Sequence, residues 1–502
     1  PVLFNCIYGG EDYDARREQK GWNMFGFKEQ DWRPVVIQEA PKGVLRPQIA
    51  QPVKIMERYD IRKVTKLTAE QITAACKSTK RTVDPSAFVL DMGQNLAGFP
   101  EITVRGKKGQ KITLLVSESL TDEGACNQRQ TGRQHYYEYT LKGEGVETWH
   151  PRFSYYGFRY IQVEGAVLKG QKNTLHLPVI QKIQSCFVYN SAPKVSTFQC
   201  SNRIFNEAHR LIEKAVRSNM QSVFTDCPHR EKLGWLEQDH LCGPGLLYNY
   251  DLTGFLPQTL QNIADAQHAN GAVPTTAPEY VVFEGPGMDA FAESPEWGCT
   301  FVVLPFMYYE TYGDDSLIRK YYNGMRRYID YMTTRANDGI VSFGLGDWYD
   351  YGDFRAGFSR NTPVPLVATA HYYMVVRYLV EAARMLDNRY DVAYYTHLGE
   401  EINKAFHREF YHKDTRQYGT GSQCSNALPL FLGMVPAEDK QAVLDNLVAD
   451  IKRHGNRLTT GDVGNRYLFQ TLARNGLNEL MYTMHTVSYT HLRAHETEAD
   501  LV

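Results

Sequence analysis

Apolar and polar residues change their rhythm once along this chain, near Ser196. Before that point the pattern is strand-like. "EITVRGKKGQKITLLVSESL" (101–120) alternates apolar and polar positions on both sides of a Gly-Lys-Lys-Gly turn, which predicts a hairpin. "HYYEYTL", "SYYGFRYIQVEG" and "LPVIQKIQSCFVY" continue the alternation, with turns at Lys142-Gly143 and Gly165. Short strands at this spacing predict β-sandwich modules. A break across "KLTAEQITAA" (66–75) predicts two of them, a partial N-terminal β module over 1–65 and a β-sandwich domain over 75–190.

After Ser196 the period becomes helical. "SNRIFNEAHRLIEKAVRSNMQSV" puts Ile204, Phe205, Ala208, Leu211, Ile212 and Ala215 on one helix face, with Ser201 as the expected N-cap. Six further stretches, beginning at Gly254, Thr300, Ser316, Val364, Val392 and Ala437, repeat that period, so at least seven helices are expected. Two connections, 271–298 and 339–365, are too long and too rich in Trp, Tyr, Asp and Glu for the turns of a helical solenoid. Helices in succession joined by such loops predict an α/α toroid over 196–485, with its loops gathered over one end.

Composition narrows the partners. A net charge of -2 gives no reason to expect nucleic acid or an anionic membrane surface. No run of 18 apolar residues occurs, so no membrane insertion is expected. Aromatic residues make up 12% of the chain, which suits flat, partly apolar ligands such as sugar rings, although most such rings serve the core. Nine cysteines without a dense spacing do not resemble a disulfide scaffold.

The densest chemistry lies in "DCPHREKLGWLEQDH", Asp226 to His240, where Pro228 excludes a continuous helix. Cys227-x-His229 and His240-x-Cys242 could hold zinc, but their spacing is that of no standard finger or ribbon, and no metal or cofactor is assigned. A Cys227–His229 nucleophile pair lacks an obvious orienting group. Paired-carboxylate chemistry on a glycosidic bond fits better. It needs one protonated carboxyl for the leaving oxygen and a second group to act on water or on the anomeric carbon. Trp235 could raise a carboxyl pKa by desolvation, and Arg230 and Lys232 could keep neighbouring carboxylates ionised. Asp289, Glu293, Glu296 beside Trp297, and Asp347 beside Trp348 repeat the acid–aromatic association in the two long loops.

"TDCPHREKLGWLEQD" resembles the signature of the bacterial α-L-rhamnosidases of the inverting glycoside hydrolase type. "DMGQNLAGFPEITVRGKKGQKITLLVSESL" and "WHPRFSYYGFRYIQVEG" are similar to that family's β domain, and "EDYDARRE" through "DWRPV" to its preceding module. "SPEWGCTFVVLPFMYYETYGD" and "GDWYDYG" are similar to its barrel segments. The resemblance implies β-sandwich modules followed by an (α/α)6 barrel, and hydrolysis of terminal, non-reducing α-L-rhamnose with inversion. The expected ligand is a rhamnose-containing oligosaccharide, polysaccharide or plant glycoside. The family pattern has one more residue between Arg230 and Gly234 than this chain. Counting back from Gly234-Trp235 puts Glu231 on the general-acid position, whereas counting forward from Arg230 puts Lys232 there. Glu231 is the expected acid and Glu237 the second choice. The resemblance also implies that Asp226, Arg230, Trp235, Asp239, Trp297, Asp347 and Trp348 bind substrate.

The family's general base is a Glu in a loop near the end of the barrel, following the segment that "GDVGNRYLFQTLARNGLNELMY" resembles. Residues 486–502, with no period continuing what precedes them, resemble a translated sequencing adapter. The chain is therefore expected to be an incomplete, inactive piece of a periplasmic or secreted enzyme, truncated at both ends. A sugar-binding protein with a degenerate site, and a toroid glycosidase or lyase for another sugar, are the alternatives.

Overall fold

The structure, a computed structural model, describes residues 1–29, 32–40, 42–129, 131 and 134–495. Among the described residues, thirteen strands precede the main run of helices: β1 Val2–Cys6, β2 Gly10–Asp14, β3 Val53–Tyr59, β4 Lys63–Lys66, β5 Phe88–Arg105, β6 Lys111–Ser117, β7 Ser119–Leu120, β8 Cys126–Asn127, β9 Tyr136–Thr140, β10 Val146–Trp149, β11 Tyr156–Glu164, β12 Val167–Leu168 and β13 Val179–Asn190. Helix α1, Ala69–Thr79, lies between β4 and β5. Thr68 caps it with a reciprocal bond pair to Gln71, which is why the strand pattern breaks there.

Eleven strands join one sheet in the path β1-β2-β9-β6-β11-β5-β13-β12, with β10 and β4 pairing β5, and β3 pairing β13. Two expectations change here. The strands of 1–65 hydrogen-bond into the same sheet as those of 75–190, so the break at 66–75 is a capped helix and not a gap between sheets. The 101–120 segment is not a paired hairpin, because β11 lies between β5 and β6 and bonds to both. Alternation predicted both strands correctly, but pairing depends on which strand packs between them. Leu90, Ile102, Val104, Ile112, Leu114, Phe158 and Ile161 belong to the buried core of this domain.

The second domain is helical: α2 Arg203–Asn219, α3 Glu237–Leu241, α4 Gly243–Asn249, α5 Phe255–Ala266, α6 Asp289–Ala292, α7 Pro295–Gly298, α8 Thr300–Tyr312, α9 Ser316–Arg335, α10 Val364–Met385, α11 Arg389–Phe410, α12 Gln423–Leu432, α13 Lys440–Arg453, α14 Asp462–Arg474 and α15 Asn478–His495. A small hairpin, β14 Tyr411–His412 and β15 Gln417–Tyr418, separates α11 from α12. All seven expected helices are present. Their inward faces form a second core, separate from that of the sheet, that runs from Met220 through Phe301, Val375 and Leu428 to Met484.

The N-cap of α2 is Asn202, whose side chain accepts from the Ile204 amide, rather than Ser201. Its apolar face is not core either, since Leu211 and Ile212 are exposed. The last helix corrects the expectation that no period continues past His485, because α15 runs unbroken to His495. The remainder of the adapter-like stretch, 496–502, lies outside the described residues. Among the described residues, no helix is long and apolar enough to cross a membrane.

Candidate active site

The loop 226–236 is tied at both ends before it reaches the pocket. Asp226 closes it: its amide donates to Leu233 O at 3.1 Å, and its carboxylate accepts from Leu233 N at 3.0 Å. Gly157 N donates to Pro228 O at 3.0 Å, docking the loop on β11. A side chain at 157 would meet Pro228 Cγ at 2.6 Å, so the close approach requires glycine. At the other end, residues 234–236 pair with 275–277, Leu236 N donating to Thr275 O and Ala277 N to Gly234 O, both at 2.9 Å. A Cβ at Gly234 would lie 2.6 Å from Ala277 O.

Between those ties, successive side chains part company. Glu231 lines a cavity of about 610 Å³. Lys232, with a left-handed φ of 56°, turns the other way. Its Nζ donates to Ile7 O at 2.5 Å and Tyr155 O at 2.6 Å, and lies over the Tyr155 ring at 4.6 Å. Burial pushes the Lys232 ammonium down to about 7, while the two carbonyls and the ring face favour the cation. Lys232 is therefore a strut into the sheet domain. It does not sit among the pocket carboxylates it was expected to hold ionised. His229 is a second strut, with Nδ1 accepting from Arg230 N at 2.8 Å and Nε2 3.4 Å from Glu118. Glu118 supplies the third group that a Cys227–His229 pair lacked in the sequence, and against the lowering effect of burial, hydrogen bonds with Cys227 and Glu118 raise the His229 imidazole to about 9.

At the mouth of the cavity an oxygen of Asp226, an oxygen of Glu231 and the Cys227 sulfur lie within 4.8 Å of one another. Trp235 Nε1–H donates to Glu231 Oε2 at 3.0 Å, and Arg230 Nε stands 3.7 Å from Glu231 Oε1. Burial, then the neighbouring Glu231 charge, raises the Asp226 carboxyl above the usual range.

The walls are aromatic. Trp235, Phe291, Trp297 and Trp348 line the cavity, with Tyr349 and Tyr351 at its edge. Phe291 and Trp348 meet edge to face at 5.5 Å, and Phe283 packs on Trp235 at 5.3 Å. Glu237 and Asp462 line the interior. Burial pushes Glu237 up to about 8 and Asp462 to about 6. Among the described residues, Glu237 Oε2 and Trp297 Nε1 have no hydrogen-bond partner, so acceptor and donor capacity is left for hydroxyls.

Six of the expected residues thus share one cavity with Glu237: Asp226, Arg230, Glu231, Trp235, Trp297 and Trp348. Two do not line it. Asp347 is fully buried, its Oδ1 accepting from Gly464 N at 2.7 Å, and burial raises it to about 7. Asp239 is 4% exposed, and burial raises it well above the usual range. Glu296 is also buried, behind Trp297, with Ser294 Oγ donating to it at 2.5 Å. The sequence reading missed Asp462, Phe291, Tyr349 and Tyr351. Asp462 reads as an ordinary first-turn acid of α14, and only the packing of that helix carries it to the cavity.

The family model described as the bacterial alpha-L-rhamnosidase 6 hairpin glycosidase domain matches residues 193–491. The concanavalin-like domain of the same family matches 81–189, and the alpha-L-rhamnosidase N-terminal domain 1–57. The chain belongs to the bacterial α-L-rhamnosidase family. Its helical domain is accordingly a six-hairpin glycosidase domain preceded by a sheet-rich one. An α-L-rhamnosidase of Formosa agariphila is 29% identical over 97% of this chain and 50% of its own length. One of Streptomyces avermitilis is 30% identical over 96% and 43%. The α-L-rhamnosidase structure from Dictyoglumus thermophilum superposes with a TM-score of 0.84 at 31% identity, covering 96% of this chain and 52% of that one. The S. avermitilis enzyme complexed with L-rhamnose gives 0.82 at 29%, covering 96% and 43%. This family member spans about half the length of the curated relatives it matches.

Proposed function

We propose that this chain binds a terminal, non-reducing α-L-rhamnosyl unit in the 610 Å³ cavity and donates the proton for its cleavage from Glu231. The observation that carries this reading is the Asp226–Glu231 pair, with oxygens within 4.8 Å, at the mouth of an aromatic-walled cavity. Glu231 protonates the glycosidic oxygen as the C1–O bond breaks, and Asp226, tied to the Leu233 amide, accepts from ring hydroxyls. Trp235, Trp297 and Trp348 wall the ring, and the unpartnered atoms of Glu237 and Trp297 receive further hydroxyls. Support for rhamnose comes from the family and from the S. avermitilis relative, whose structure holds L-rhamnose. The natural ligand is then a rhamnose-containing oligosaccharide, polysaccharide or plant glycoside.

The reaction inverts on this reading. Inversion requires acid and base about 6.5–9.5 Å apart, with water between them. Asp226 is too close to Glu231 for that water, and burial keeps Glu237 protonated near neutral pH. Asp462 is the remaining carboxyl lining the cavity, and if it does not activate water the 502-residue chain binds rhamnose and turns it over slowly, lacking roughly 10²–10⁴-fold of base assistance.

Azide tests both halves, because it attacks C1 without first losing a proton. The chain with an alkyl α-L-rhamnoside and azide is expected to yield β-L-rhamnosyl azide faster than it yields rhamnose in azide-free buffer. An α-configured product would exclude inversion. Absence of L-rhamnose binding by calorimetry would overturn the assignment of the cavity, and binding without any turnover would favour a degenerate sugar-binding site.

A further inference from the structure

In the helical core three donor groups meet that the rhamnose site does not use: His240 of α3, Cys299 at the start of α8, and His371 of α10. A nitrogen of each ring and the Cys299 sulfur lie within 4.8 Å of one another. None of the three residues is more than 1% exposed.

Hydrogen bonding decides how the two rings present themselves. His371 Nδ1 stands 2.8 Å from the Val367 carbonyl, which can only accept, so Nδ1 carries the proton. The Thr300 hydroxyl donates to Leu236 O at 2.8 Å, which leaves its oxygen to accept from His240 Nδ1–H at 2.7 Å. Both rings are thus Nδ1–H tautomers with bare Nε2 lone pairs. His240 Nε2 faces Cys299 Sγ at 3.7 Å, and His371 Nε2 has the Tyr467 hydroxyl at 3.1 Å.

Imidazoles whose Nδ1–H is held by an oxygen while Nε2 turns to a shared centre are arranged as metal ligands are. Tetrahedral zinc, with bonds of about 2.0 Å to nitrogen and 2.3 Å to sulfur, separates such ligands by about 3.5 Å. The observed His240–Cys299 spacing is close to that. We infer that His240, Cys299 and His371 form a structural zinc site, with the Tyr467 hydroxyl in the fourth position. Binding replaces the Cys299 thiol proton, which is released to solvent, by the zinc–sulfur bond. The site joins α3, α8 and α10, and α3 carries Glu237 of the cavity at its first turn. A five-residue helix has little stability of its own, so a metal tie to its neighbours would position that wall. Without an ion, the same atoms form only hydrogen bonds: the Cys299 thiol to the Glu296 carbonyl at 3.2 Å and to His240 at 3.7 Å, and the Tyr467 hydroxyl to His371 and the Met374 sulfur.

The two states are separated by metal analysis of the 502-residue chain, produced in zinc-supplemented medium and gel-filtered with chelator present. About one zinc per chain is expected, and zinc-edge X-ray absorption should show one sulfur near 2.3 Å among lighter scatterers near 2.0 Å. Folded protein with less than a tenth of an equivalent, or a shell without sulfur, would overturn the site. Cys299→Ser should lower zinc content at least tenfold, with Cys200→Ser unchanged. Equal zinc in the folded Cys299→Ser variant also overturns it. Should Cys299→Ser not fold, the absorption spectrum of the unaltered chain decides the question.

Discussion

The mouth and the floor of the cavity hold the same residue types with different neighbours. At the mouth, Asp226 and Glu231 lie within 4.8 Å of each other, and an indole N–H and a guanidinium attend Glu231. At the floor, Glu237 accepts from Gln238 Nε2 at 3.0 Å, and burial raises it to about 8. Behind the floor, burial likewise raises Glu296 to about 8 and Asp347 to about 7. At the mouth it is Asp226 that is raised, first by burial and then by the Glu231 charge. Glu237 holds its proton near neutral pH and acts as a neutral hydrogen-bonding group, whereas Asp462, raised by burial only to about 6, gives its proton up there. Solvent access and neighbours, not residue type, divide the roles.

Removing the acid should break that contrast most severely. With azide as nucleophile, Glu231→Gln is expected to slow cleavage of alkyl α-L-rhamnosides by about 10²–10⁴-fold. p-Nitrophenyl α-L-rhamnoside, whose leaving group needs little protonation, should lose far less. Equal losses on both substrates would deny Glu231 the role of proton donor, and an active Glu231→Gln beside a dead Glu237→Gln would move the acid to the floor.

The neighbouring strut comes next. Lys232→Met strands the Ile7 and Tyr155 carbonyls, and unfolding in urea should show a loss of about 2 kcal/mol. Affinity of the folded fraction for L-rhamnose should be retained, and a collapse of affinity without loss of stability would place Lys232 in the pocket after all. Trp348→Ala removes one apolar wall, and calorimetry should show rhamnose binding weakened about tenfold, equivalent to about 1.4 kcal/mol. Unchanged affinity would put the sugar elsewhere in the cavity.

The floor gives the smallest effect and the sharpest sign. Glu237 holds its proton to about pH 8 in the folded chain, whereas an unfolded Glu loses it near 4.5. The folded state thus binds more protons in that interval, so stability falls as pH rises from about 4.5 to about 8. Glu237→Gln should reduce this slope in pH-dependent thermal unfolding, and an unchanged slope would deny that Glu237 holds its proton in the folded chain.

The N-terminal strands, the helices beginning at Gly254, Ser316 and Val364, and the Asp226–Asp239 signature were all legible in the sequence. Period-2 and period-3.6 patterns are local, as is a motif with its own turn chemistry. The α2 face misled for the same reason. Its periodicity is real, but Ile212 and Ala215 border the cavity instead of entering the core.

By itself, then, the sequence determined the order of elements, the change from strands to helices near Ser196, and the presence of an acid–aromatic loop belonging to this family. Only the tertiary structure decided which of Glu231 and Lys232 enters the cavity. That choice depends on a left-handed turn at Lys232 and on two carbonyls, Ile7 and Tyr155, that lie far away in the sequence. It also seated β11 between β5 and β6, and it brought His240, Cys299 and His371 together from three separate helical segments. Local spacing carries no record of such meetings, because they arise when the faces of distant elements pack against one another and bury their apolar surface together.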